Sequence, residues 1–366
     1  MAYTDIDDPS AYFQTATYTG NGGTLAVANT GNSDLQPDFV WVKSRTQGNS
    51  HVFFDVVRTF AGDKEIQSNN TGIEGASDSA GYGYVSAVGS DGFTAQAGST
   101  AGDYTNVNSQ NYVAWQWKAG TAASGNTSGE GTAKTFSSSS SSTAGFSIVK
   151  YVGNGTTNHA IPHGCGTAPK MIIVKTTDKA SQAWPVDTRT TTGSGVMYLN
   201  ETGAAGAYGN DNPFTSVAPT SSVFSVGSPG NTNYNNSTYI AYCFAPIQGY
   251  SKVGFYTGNN DADGTFVHTG FKPAFVMVKK QSASGTAWGI VDNKRNNSAN
   301  PGNLIAAMLN PNTTGTEGGN NELDLLSNGF KWRGTDGNSN AANLYIYVAF
   351  AEQPFVTSTG IPATAR

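Results

Sequence analysis

Charge is scarce in this chain. Asp, Glu, Lys and Arg together make up 12% of its 366 residues, with 20 basic against 25 acidic side chains. That is about half the usual share in soluble domains. The net charge of −5 and the absence of any basic stripe argue against nucleic acid as a partner. There are two cysteines, too few to staple a chain of this length. No apolar run approaches the roughly 20 residues that span a bilayer, so no membrane insertion is expected. The opening Met-Ala-Tyr-Thr-Asp-Ile-Asp-Asp-Pro has neither a basic nor an apolar run, so no secretion signal is expected.

In place of charge the chain carries 45 glycines, 14 prolines and 11% aromatics among many Ser, Thr and Asn. Small polar residues favour turns over long helices, so the mixture points to short strands joined by many turns.

One unit occurs three times. Pro37-Asp-Phe-Val-Trp-Val-Lys43 returns as Pro169-Lys-Met-Ile-Ile-Val-Lys175 and as Pro273-Ala-Phe-Val-Met-Val-Lys279. An acidic–basic pair follows each run: Asp55 and Arg58, Asp187 and Arg189, Asp292 and Arg295. Then come Asn-rich turns at Asn69, Asn200 and Asn312, and single phenylalanines at Phe93, Phe224 and Phe330. Each unit closes on an aromatic segment: Tyr112-Val-Ala-Trp-Gln-Trp117, Tyr239-Ile-Ala-Tyr-Cys-Phe244 and Tyr345-Ile-Tyr-Val-Ala-Phe350. Trp115 and Tyr242 occupy matching places there, and Phe350 ends the third segment. Units two and three also share an entry segment, Ser147–Gly155 and Ser251–Asn259, whereas unit one begins more loosely with Tyr18-Thr-Gly-Asn-Gly22.

The spacing divides the chain into an N-terminal attachment segment (1–13), a first repeat (14–118), a Gly/Ser-rich linker (119–145), a second repeat (146–246), a third repeat (247–356) and a C-terminal tail (357–366). The linker ends in six serines, Ser137 to Ser142, and its composition is that of a flexible coil. Unit one is therefore expected to be tethered, with units two and three packed together. The closing segments alternate with one bulky face, the pattern of a half-buried strand. The Pro-initiated runs are apolar on both faces and read as central strands, with Pro tolerated at the first position. Six to nine short strands per unit give an all-β fold: three tandem β-sandwich-like domains with long loops. Leu304–Leu309 reads equally as a helical turn or a strand.

Candidate chemistry is thin. His159, His163 and Cys165 have the elements of a zinc site, but the other units lack the set and no fourth ligand stands out, so turn roles are favoured and no metal or cofactor is expected. Asn259-Asn-Asp-Ala-Asp-Gly264 imitates half a calcium loop; the acid needed at its end falls on Gly270, which favours an Asx turn. Three equal Asp–Arg pairs suit structural ion pairs across strands better than catalysis. Ser and Thr abound without a Gly-x-Ser-x-Gly elbow, and a Cys165–Cys243 disulfide has no support in the pattern. Tyr82, Tyr84, Tyr104, Tyr208 and Tyr234 lie in Gly/Asn/Ser-rich surroundings and are the candidate ligand-binding residues, by stacking on sugars. The alternative is that they cap a small core with each hydroxyl reaching solvent.

The head Ile6-Asp-Asp-Pro-Ser-Ala-Tyr-Phe13, the segment Tyr112-Val-Ala-Trp-Gln-Trp-Lys-Ala119, its counterpart Tyr239–Ala245 and the tail Ala349-Phe-Ala-Glu-Gln-Pro-Phe355 together resemble repeat-containing, tail-fibre-like virion structural proteins of marine tailed bacteriophages. The resemblance spans nearly the whole chain and brings no catalytic residue. It implies a non-enzymatic virion surface protein, made in the host cytoplasm. Other virion proteins would be its partners and a host-cell glycan its ligand. Tail-side host attachment is the first expectation, and capsid decoration or a head fibre the second. A polysaccharide-degrading enzyme is the reading from another class; it requires two carboxylates about 5–9.5 Å apart in a groove. Self-association is open, because fibres are commonly trimers, yet three units in one chain could imitate a trimer around a pseudo-three-fold axis.

Overall fold

The computed structural model describes residues 2–189, 194–295, 304–319 and 322–363. The fold is all-β, built from antiparallel sheets in sandwich-like pairs. In unit one the larger sheet runs Phe13–Thr19, Asn111–Trp117, Phe39–Ser44, Val52–Asp55, Ile66–Gln67. Entry strand, closing strand, Pro-initiated strand and acidic strand thus lie in that order. Unit two repeats the order with Phe146–Val152, Thr238–Phe244, Met171–Thr176 and Pro185–Asp187. Unit three repeats it with Ser251–Thr257, Leu344–Pro354, Phe271–Lys280 and Gly289–Asp292. A smaller sheet faces each one. Its central pairing joins Thr24–Val27 to Phe93–Gln96, His159–Pro162 to Val223–Val226, and Phe266–His268 to Gly329–Trp332. Leu304–Ile305 is a strand, which settles the ambiguous stretch.

Alternation along a strand sends successive side chains to opposite faces, and here both faces meet protein. Val40 and Val42 enter unit one's own core between its two sheets, whereas Phe39 and Trp41 enter a core shared by all three units. The closing strands are therefore covered on both sides, and the half-buried expectation is corrected. The face carrying Tyr112 and Ala114 lies under the smaller sheet.

The shared core has a three-fold character. Trp117, Phe244 and Phe350, the last aromatics of the three closing strands, form a triangle with centroid distances of 6.1, 5.6 and 5.7 Å. Phe13, Phe39, Phe146 and Phe275 pack around it. The seams between units repeat one backbone hydrogen bond. Glu74 N donates to Thr177 O (3.0 Å), Ala205 N to Gln281 O (2.9 Å) and Glu317 N to Arg45 O (2.9 Å). Each acceptor lies two residues past the lysine that ends a Pro-initiated run. Unit one bonds to two, two to three, and three back to one, so the ring is closed.

Two expectations about chain segments are corrected. The expected linker is folded: Thr121–Asn126 and Thr135–Ser141 pair with each other, and the latter pairs with the entry strand of unit two. An unpaired sheet edge supplies backbone donors and acceptors to any extended segment, whatever its side chains. Phe136 adds apolar contact with unit two's core. Unit one is accordingly not tethered; its aromatics lie in the middle of the shared core. The N-terminal segment, expected to attach to the particle or to lie against unit one, bridges two units: Tyr3 Oη donates to Gly270 O (2.6 Å) and Thr4 Oγ1 to Gln248 O (2.8 Å) of unit three, Ile6 is buried, and Asp8 Oδ2 and Ser10 Oγ accept from Ser33 Oγ (2.6 Å) and Ser33 N (2.9 Å) of unit one.

Candidate functional site

The five candidate tyrosines are not brought together. Tyr82 and Tyr104 stack on each other at 5.0 Å, and Tyr104 is buried, its hydroxyl 3.0 Å from Ser77 Oγ. Tyr84 is half-buried beside the same core. Tyr208 donates to Asp187 Oδ1 (2.9 Å) and carries the Arg189 guanidinium over its ring at 3.8 Å. Only Tyr234 of the five is exposed. No shared sugar platform exists among them, and Tyr82, Tyr104 and Tyr208 are packing residues.

The repeated acid–base pairs are buried and structural, though they form within a turn and not across strands. Arg58 Nε lies 2.7 Å from Asp55 Oδ2, Arg189 Nε 2.8 Å from Asp187 Oδ2, and Arg295 Nε 2.6 Å from Asp292 Oδ2. They also clasp the seams. Tyr242 Oη donates to Asp55 Oδ2 (2.7 Å) and Trp115 Nε1 to Asp292 Oδ2 (2.8 Å), each across a unit boundary. Val348 holds the matching place at the third seam and has no donor; there Asp187 is bonded instead by Tyr208 of its own unit.

A second repeated device was not anticipated. Asn106, Asn233 and Asn340 are buried. Each accepts the backbone N–H of the Asn in the entry turn (Asn21, Asn154, Asn259) and donates back to that turn. A stacked tyrosine pair sits beside each: Tyr18 on Tyr112, Tyr151 on Tyr239, Tyr256 on Tyr345. The recurrence of Asn six or five residues before the closing Tyr was the available signal.

His159 is engaged by Thr127 Oγ1 (2.6 Å) and Asn233 Oδ1 (3.0 Å), and His163 by Thr220 O and Cys165 N. Burial lowers the pKa of both. Both cysteines are free and buried. Asn259–Gly264 is an Asx-rich turn, Asp263 pairing with Lys331 (2.6 Å) and Arg333 (3.2 Å). Among the described residues no group of three or more His, Cys, Asp or Glu is placed to hold a metal ion, and no helix is long and apolar enough to cross a membrane.

Two pockets stand at seams, one between unit one and the hairpin that joins unit two's sheet, the other between units three and one. Between units three and one lies a space of about 200 Å³. It is lined on one side by Gln14, Thr15, Thr30 and Gly31, and on the other by Asn293, Lys294 and Glu352. Glu352 accepts from Lys272 Nζ (3.1 Å) and from Asn293 Nδ2 (2.8 Å). Gln14 is spent on its own loop, donating to Ser10 O and Ser33 O and accepting from Gly31 N. Thr15 Oγ1 and Asn293 Oδ1 are buried and have no hydrogen-bond partner among the described residues.

These features define an all-β protein of paired antiparallel sheets, with a shared core and a polar pocket at one seam. Residues 8–354 match the model of a domain of unknown function, DUF7483, and the chain belongs to that family. No curated protein and no solved structure matches it.

Proposed function

We propose that this chain is a non-enzymatic surface protein of a bacteriophage particle, acting on the tail side in host attachment, with a host-cell glycan as ligand. The sequence resemblance points to the particle. The observation that carries the reading is the closed ring of seams: three β units interlock through equivalent backbone bonds around one aromatic core. Such an arrangement is rigid and sparsely charged, and it leaves turn loops free to vary as binding surface. The acids that recur in every unit are each neutralised by an Arg in a buried turn. The pocket between units three and one is lined by a single carboxylate, Glu352, where glycoside hydrolysis ordinarily uses two.

Incubation of the purified protein with host-surface polysaccharide separates the readings. Retention without release of shorter products supports attachment, whereas product release establishes an enzyme. Labelling intact particles for electron microscopy then tests position. Label at the tail supports the proposal, and label over the head makes the chain a decoration protein or head fibre.

A further inference from the structure

The entry strands of the three units are not covered alike. In unit two the hairpin covers two sheet edges at once: Thr135–Ser141 pairs with Phe146–Val152, and Ser128–Gly129 pairs with His159–Pro162 of the smaller sheet. In unit three the matching strands, Ser251–Thr257 and Phe266–His268, are the outermost of their sheets among the described residues. Phe255 is 54% exposed and Phe266 43%. A groove of about 300 Å³ lies between the two bare edges and is lined by both phenylalanines. Unit one differs again. Its entry strand is buried from Phe13 to Ala16, its exposed residues are Thr17 and Thr19, and it bears no exposed large apolar side chain.

Antiparallel pairing alternates, so the outward groups of Ser251–Thr257 follow from its bonds to the closing strand. Ala351 N donates to Tyr250 O, and Gly258 N to Asn343 O. The even-numbered residues therefore bond inward and the odd-numbered ones face out. Ser251 is spent on Ile247 through both its N–H and its carbonyl, and Thr257 O accepts from Thr265 Oγ1 (2.7 Å). Val253 and Phe255 keep both backbone groups for another strand. Counted from the stacked tyrosines Tyr256 and Tyr151, they correspond to Ile148 and Lys150 of unit two. Those two lie opposite Ser139 and Ser137 of the hairpin. Edge strands are commonly blunted by a projecting charge. Here the one charged side chain, Lys252, is turned back onto His268 O (2.8 Å).

We infer that Ser251–Thr257 is a pairing edge for a second copy of this chain, the two strands running antiparallel about a two-fold axis at Gly254. Val253 of one copy then lies opposite Phe255 of the other, and each such pair exchanges both hydrogen bonds. Aromatic and β-branched residues are favourable cross-strand neighbours, as are Ser251 and Thr257, which also meet. Lys252 meets Tyr256, so no like charges are opposed. Moving the register by two residues sets Val253 or Phe255 against itself and sends the next pair onto Ser251 or Thr257, whose groups are spent. Residues of like parity meet, so the joined sheet keeps its inner faces on one side. Such pairing is self-complementary and closes at two copies. The ladder is short, so association is half complete at concentrations on the order of 1–100 μM. The inference is independent of the attachment reading.

The test uses the full chain, its Phe255→Lys variant and a Val217→Lys control, Val217 being 50% exposed and outside any strand. Sedimentation equilibrium over roughly 1–300 μM should show the mass rising from one chain toward two. Phe255→Lys, which sets a charge on the edge, should weaken dimerisation by about tenfold or more, and Val217→Lys should leave it unchanged. Hydrogen exchange reads the register. The amides of Val253 and Phe255 should exchange freely in dilute parent chain and gain protection as concentration rises, while those of Ile148 and Lys150 stay protected throughout. This measurement needs no variant, so it decides the matter even if Phe255→Lys fails to fold. A chain that is monomeric throughout, a trimer, a dimer that Phe255→Lys leaves intact, or association without protection at Val253 and Phe255 overturns the proposal. Protection of these amides only when another particle protein is added also overturns it and gives the edge to a different occupant.

Discussion

Lys43, Lys175 and Lys279 each end a Pro-initiated strand, and each is fully buried. Their ammonium groups meet carbonyls: Ser44 O (2.6 Å) and Gln47 O (3.0 Å), Gln182 O (2.7 Å), and Lys280 O (2.8 Å). Burial brings all three pKa values down from 10.5 to about 8. Between these values the unfolded chain binds more protons than the folded one, so stability rises with pH. The charging penalty is fully present below about pH 8 and is relieved as pH climbs toward 10.5. Buried tyrosines such as Tyr112 and Tyr239 have raised pKa values, so ionisation of the unfolded chain above pH 10 works in the opposite sense. The unfolding free energy from urea titrations should therefore increase from pH 8 to about 10, by on the order of 1–3 kcal/mol per lysine, and then fall. Lys43→Met, which keeps the apolar stem, should remove about a third of the rise. A flat profile from pH 8 to 10 would show that these lysines are better solvated than their burial implies.

Among the elements, those built from apolar or charged residues were legible and those built from small polar residues were not. The Pro-initiated strands announced themselves as covered on both faces, and Val40 and Val42 on one side with Phe39 and Trp41 on the other bear that out. The Asp–Arg pairs were legible as structural, but their placement within turns was not, because sequence spacing alone does not separate a turn from a strand neighbour. The serine run reads as a coil for a physical reason. A segment such as Ser137 to Ser142 has no hydrophobic period, and its order comes from strands at Thr121–Asn126 and Phe146–Val152 that pair with it on either side. A lone polar residue such as Thr15 or Asn293 carries no signal until its counterparts in the other units are aligned with it.

The fold makes a firm prediction for this hairpin. Thr135–Ser141 is an interior strand, so Ser139→Pro removes a ladder N–H and should cost about 3 kcal/mol or more. Limited proteolysis should then cut within residues 120–141, and light scattering should reveal multimers formed through the bared edge at Phe146–Val152. Unchanged protease resistance and mass would mean that the segment behaves as a tether after all.

At the scale of the whole molecule, repetition was legible but ring closure was not. Three copies of a unit predict three similar folds. They do not say whether those folds hang as beads or share a core, because the faces that meet at the seams look the same in the sequence as faces that meet within a unit. Trp117 illustrates the point: its ring contacts Phe13 and Phe39 of its own unit, Phe146 and Phe244 of unit two, and Phe275 and Phe350 of unit three. With such sharing, losing one unit strips the inner face of the other two, and the three should unfold together. Calorimetry of the intact chain should give one transition whose calorimetric and van't Hoff enthalpies agree. Trp117→Ala should lower stability by about 3–5 kcal/mol and shift that single transition as a whole. Hydrogen exchange should show equal loss of protection in the closing strands of units one, two and three, although the altered residue belongs to unit one alone. A variant in which unit one melts early while Ile240–Phe244 and Ile346–Phe350 keep their parental protection would show that the units are independent and the central aromatic cluster is only a contact between them.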